Sequence, residues 1–131
     1  MITEDYVSFE TAKLLKEKGF DEDCRAFYVI GEESLRFTFY SMKYNNNLYL
    51  HPIKVSAPTL QMAMKWLREM YNINIETYVI KNYDKKICEY TYTIMDLNFP
   101  GSDDGIDCCN QYKTYERACE VAIKYCLEHL I

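Results

Sequence analysis

Six cysteines, two histidines and one cluster of aspartates are the side chains best suited to chemistry in this chain of 131 residues. Cys24, Cys88, Cys108, Cys109, Cys119 and Cys126 could form bridges, bind metal or react as thiolates. Zinc favours Cys-x2-Cys or histidines three to five residues apart, and neither spacing occurs. Vicinal Cys108 and Cys109 are too close for an ordinary unstrained bridge to each other. Cys119 and Cys126 are seven apart on an expected helix, so they share one face and read as packing. The Cys108–Cys109 pair is the candidate for redox sensing. The opening Met1-Ile2-Thr3-Glu4-Asp5-Tyr6 has neither the basic nor the apolar region of a signal peptide. Reduced thiols and a cytoplasmic protein are therefore expected.

The run Ser102-Asp103-Asp104-Gly105-Ile106-Asp107 gathers carboxylates around a glycine, as a hard cation requires. Setting Gly105 at the glycine of a calcium loop puts Pro100, Ser102 and Gln111 at the first, third and twelfth ligand positions. That reading fails, and Asp103, Asp104 and Asp107 are expected to form a solvated acidic surface open to a binding partner. His51 and His129 have no identifiable catalytic partner. There is no Gly-x-Ser-x-Gly, no Gly-x-Gly-x-x-Gly and no Gly-Lys-Ser/Thr. The expectation is a non-enzyme with no catalytic residue, no metal and no cofactor.

Aromatic side chains are the other abundant resource, with 13 Tyr and 6 Phe. Phe27, Tyr28, Phe37, Phe39, Tyr40, Tyr78, Tyr90 and Tyr92 fall on expected strands. Base stacking on sheet aromatics needs flanking Lys and Arg, but Glu32, Glu33, Glu76 and Glu89 are interspersed here. Lys+Arg 15 against Asp+Glu 20 gives −5, which weighs against nucleic acid and anionic membranes as partners. Tyr40 and Tyr78 are taken as a protein-facing patch, since tyrosine buries ring area while its hydroxyl stays wet.

The elements that must carry these residues follow from periodicity. Helices are expected over 8–20, with Ser8 as N-cap and Gly19 just past the end, from Ser56-Ala57-Pro58 to Tyr71, and from Thr114 onward. Strands are expected at Cys24–Ile30, Leu35–Ser41, Leu48–His51, Ile73–Ile80 and Ile87–Met95. In Leu35–Ser41, Leu35, Phe37 and Phe39 alternate with Arg36, Thr38 and Tyr40, so the first set should face a core. No window of the chain reaches the length of a membrane span. The stretch Asp96–Lys113 reads as one long loop. The result is a single α+β domain over 1–131, of order α-β-β-β-α-β-β-α, with an antiparallel sheet carrying helices on one face. Ala63–Glu69 and Ala122–Glu128 echo each other, each after a strand pair, which raises a duplicated ββα unit. The first five elements share the order of a double-stranded RNA-binding domain, yet the second helix starts with Ala57-Pro58-Thr59-Leu60-Gln61, without the lysine cluster that grips phosphates.

Ser8–Phe20 (SFETAKLLKEKGF), Ala57–Glu69 (APTLQMAMKWLRE) and Thr114–Glu128 (TYERACEVAIKYCLE) together resemble a group of small uncharacterised proteins of gut Bacteroidetes (Bacteroides), their phages and mobile elements. The resemblance implies an accessory role and carries no activity or site residue. The leading expectation is a non-enzymatic protein that binds a protein partner or itself. Trp66 and Met62 would widen the apolar stripe of the second helix into a contact surface. A small-ligand binder lidded by residues 96–113 and an acidic inhibitor of a nucleic-acid-binding host protein are the alternatives.

Overall fold

Ser8, Thr59 and Thr114 share one local geometry. Each is extended, and each side-chain oxygen accepts the backbone N–H three residues on, from Thr11, Met62 and Arg117. That bond satisfies one of the N–H groups that a helix start leaves orphaned. Three helices follow in this computed structural model: α1 (Phe9–Glu17), α2 (Leu60–Tyr71) and α3 (Tyr115–His129). The structure describes residues 1–45, 53–82, 84, 87–98 and 105–131. Gly19 takes φ +90° after α1, and Phe20 folds back with its N–H on the Leu15 carbonyl at 2.9 Å. Asn72 ends α2 at φ 54°, one of the few non-glycine residues that tolerate this region. The second helix starts later than expected because Thr59, not Ser56, supplies the cap.

The strands are β1 (Cys24–Val29), β2 (Leu35–Met42), β3 (Lys54–Ser56), β4 (Ile73–Asn82), β5 (Ile87–Asp96) and β6 (Ile106–Asp107). The α+β class, the single domain and the order of helices and strands are those expected, with one short strand added before the last helix. The strands form two antiparallel sheets, β2-β1-β3 and β4-β5-β6. The short β6 pairs Thr93 with Asp107 and Ile94 with Ile106, inside the stretch read as a loop. The expected strand at 48–51 lies outside the described residues. The two sheets are wired differently: the centre of the first is its first strand, and that of the second its middle strand. The sequence echo between α2 and α3 therefore has no counterpart in topology.

Helix α3 is the hub of the packing. Its Cys119, Ala122, Ile123, Cys126 and Leu127 join one core with Leu15 of α1, Leu67 of α2, Ile75 of β4 and Ile94 of β5. Asn45, buried, ties the end of α1 to β3: its Nδ2 donates to the Phe20 carbonyl and its Oδ1 accepts from the Ser56 N–H, both at 2.9 Å. No helix among the described residues is long and apolar enough to cross a membrane.

Candidate functional site

The edge strand β2 departs from the alternation its sequence suggests. Ala26 of β1 pairs with Phe37, yet Cys24, two residues back, pairs with Met42. Residues 38–41 thus arch away opposite Arg25 as a wide bulge, the device by which strands re-aim side chains. The arch is held internally. Thr38 Oγ1 lies 3.2 Å from the Arg25 carbonyl, 2.6 Å from the Tyr40 carbonyl and 2.9 Å from the Tyr44 hydroxyl. Arg25 Nη2 donates to the Phe39 carbonyl at 3.3 Å. Tyr44 is itself buried against Phe27, with ring centroids 4.8 Å apart. On this crown Phe39 is 89% exposed and Tyr40 79%.

Phe37 and Phe39 were expected to face the core, and the structure corrects this: Phe37 is 62% exposed, packed only edge-on to Tyr6 at 5.3 Å. Phe37 still pairs in register with the buried Ala26 but sits on the edge strand β2, and the bulge that follows breaks the period of two only at Phe39. Trp66 is a second correction. It does not widen an exposed stripe; it is 5% exposed, with Phe20 and Tyr71 edge-on to it at 5.4 and 5.1 Å. A bulky ring on α2 faces inward because the turn after α1 brings Phe20 beneath it.

Beside the crown runs a shallow apolar groove. Its upper part, about 170 Å³, is bounded by Tyr6, Arg25, Ser41 and Met62; its lower part, about 310 Å³, by Met62, the edge of Trp66 and Met70. Met62 and Asp23 border both parts, so crown and groove are continuous through Ser41. Methionines at such a surface adapt to varied apolar partners. The rim carries Glu22, Asp23 and Glu69; among the described residues only Glu69 has an ion pair, with Lys65 at 3.8 Å. Cys24 lines the upper part of the groove, beside these acids. Burial first, and then the Asp23 and Glu22 charges, push its thiol up to about 12.

The residues singled out from sequence divide accordingly. Met62 and the edge of Trp66 come together in the groove, whereas Tyr40 sits on the adjoining arch, outside the groove's lining. Tyr78 is exposed on β4 and Asp107 lies on β6, where it accepts from Thr93 Oγ1 at 2.8 Å; both belong to the other sheet. Asp103 and Asp104 lie outside the described residues, as does the middle of the expected lid. Phe39, Arg25 and Met70 were not anticipated as surface residues. The adjacent aromatics Phe39-Tyr40 are the signal that could have found the crown, since a flat strand with one buried face cannot bury both.

Cys108 has a setting of its own. Its Sγ accepts the Asn110 N–H at 3.3 Å and lies 3.7 Å from the Tyr112 hydroxyl. Burial alone would raise this thiol, but hydrogen bonds from Asn110, Tyr92, Tyr112 and Thr91 together hold it below the ordinary cysteine range. Among the described residues no group of three or more His, Cys, Asp or Glu converges as a metal site. Comparison of the chain with protein-family models, with curated proteins and with solved structures finds no match.

Proposed function

We propose that this chain is a non-enzymatic interaction protein that seats an apolar segment with basic flanks, from a protein partner, on the Phe39–Tyr40 crown and the Met62–Met70 groove. One observation carries this reading: an internally hydrogen-bonded bulge holds two adjacent aromatic rings in water. Burying a ring of that size gains about 1.5–3 kcal/mol, and aromatic anchors dominate interface energetics. Natural edge strands are blunted by charge or proline; β2 carries one charge, Arg36, and no proline. The unpaired Glu22 and Asp23 select basic flanks on the partner. Self-association through the same surface belongs to the same class of function. An accessory role in a phage or mobile element, implied by the likeness of the three helices, suits a small adaptor.

A photo-crosslinking residue at position 39, with position 76 on exposed β4 as control, tests the proposal in cells. A discrete adduct from position 39 alone, lost on adding Tyr40→Ser and Met62→Ser, is expected. An adduct of twice the chain's own mass in purified protein would identify the partner as a second copy. No adduct, or the same adducts from both positions, would sink the proposal.

A further inference from the structure

Among the described residues Glu120 is the one charged side chain that is buried, at 9% exposure. A buried carboxylate is costly unless its oxygens are satisfied. Oε1 is well served: it accepts from the Ser8 N–H at 3.2 Å, from the Ser8 hydroxyl, and from Thr11 Oγ1 at 2.6 Å. Oε2 has no hydrogen-bond partner. Fastening α1 to α3 uses only the first oxygen, so the second is left unexplained by structure.

Glu120 lines a cleft of about 580 Å³ between the start of α1, one face of α3 and the tip of the β1–β2 hairpin. That volume is within the range of small-molecule sites. The charges in it are partly spent. Lys124 lies 2.9 Å from Glu10 and 3.8 Å from Glu128. Arg117 has no ion pair among the described residues, and Lys13 lies over the Phe9 ring at 4.7 Å. Glu33 reaches the cleft from a backbone at φ 56°, a conformation rarely held by a residue of its kind. What remains unpartnered is the second oxygen of Glu120, itself buried in the wall of the cleft, with cations at Arg117 and Lys13 and with Phe9 and Tyr125 as apolar walls.

We infer that this cleft binds a small zwitterion of the α-amino-acid class, its ammonium toward Glu120 and its carboxylate toward Arg117. The two side chains are three residues apart on α3, so their Cβ atoms are about 5–6 Å apart. That spacing suits charges borne on one carbon of the ligand. A purely cationic ligand would meet Arg117 and Lys13; a purely anionic one would meet Glu33 and Glu120. The cleft shares no lining residue with the crown and groove, so this inference stands apart from the proposed function.

The test is titration of the ¹⁵N-labelled full chain with each common L-amino acid to about 5 mM, which registers dissociation constants into the millimolar range. At least one is expected to give saturable shifts confined to residues 8–13 and 117–129. Its affinity should fall about tenfold or more in Glu120→Gln and in Arg117→Ala. Capping either end of that ligand, as the N-acetyl or the carboxamide form, should weaken it equally. Arg117 is exposed, so Arg117→Ala keeps the test decisive if Glu120→Gln fails to fold. No saturable shift from any amino acid, undiminished binding of a capped form, or unchanged affinity in Arg117→Ala would each overturn the inference.

Discussion

Cys108 and Cys126 show how one residue type acquires opposite chemistry from its surroundings. Cys126 is buried in the hub of the core, and burial first, then the Asp96 charge, push its thiol up to about 12. Cys24 reaches the same value, and burial also raises Cys119. Cys108, ringed by an amide and hydroxyls, is instead held low. The thiolate is the reacting form, so alkylation by iodoacetamide should label Cys108 at a lower pH than a free cysteine added as reference. Cys24, Cys119 and Cys126 should stay unlabelled until the protein unfolds. Peptide mapping by mass across a pH series reads the order directly, and Tyr112→Phe should delay Cys108. Labelling of Cys126 together with Cys108 in native protein would contradict the environments described. In the sequence the thiols divide only in part. The seven-residue spacing of Cys119 and Cys126 announces a helix face, whereas nothing local announces that Tyr92, from another strand, stands over Cys108.

Gly105 decides whether β6 exists as an element. A Cβ there would lie 2.6 Å from Thr93 Cγ2 and 3.0 Å from the Ile94 carbonyl oxygen. The second contact is backbone of β5 and cannot give way. Gly105→Ala should therefore detach β6, speed hydrogen exchange at the amides of residues 106–108 and cost about 1–2 kcal/mol in urea unfolding. Unchanged exchange would mean that β6 docks by other contacts. Such a strand is hard to read in advance: it has two residues, and its pairing depends on a glycine brought within contact of a distant strand. The helices were legible because their caps and apolar spacing are local, with Ser8, Gly19 and Thr114 in the roles their types favour. The ends of β1, β2, β4 and β5 were legible within two residues for the same reason. The division into two sheets was not, because strand alternation says which face is apolar and not which neighbour it pairs with. The crown on β2 was misread on the same ground. Leu35, Phe37 and Phe39 have the period of a half-buried strand, and only the tertiary bonds of Thr38, Arg25 and Tyr44 turn Phe39 outward.

The proton balance of the whole molecule predicts how it fails in alkali. Burial raises the thiols of Cys24, Cys119 and Cys126 and the phenols of Tyr28 and Tyr92 above their ordinary values. In the unfolded chain these groups lose protons at lower pH than in the fold. The unfolded state then binds fewer protons, so stability must fall as pH rises. The contribution is fully present below the ordinary cysteine value of 9.0 and is lost as pH climbs toward about 12, where Cys24 and Cys126 ionise in the fold. Each group titrating only when unfolded removes on the order of 1 kcal/mol per pH unit. Cys108 opposes the trend, but it is one group against these five and the raised phenols of Tyr112 and Tyr115. Urea unfolding under reducing conditions should show a clearly lower midpoint at about pH 10 than at about pH 8. Cys126→Ala should flatten that dependence while losing some packing at every pH, because it removes a titrating group from the unfolded state along with core volume. A midpoint that holds from about pH 8 to about pH 10 would mean that these thiols and phenols ionise as readily in the fold as outside it. The packing of α3 as the hub between the β4-β5-β6 sheet and the other helices would then be looser than its buried residues imply.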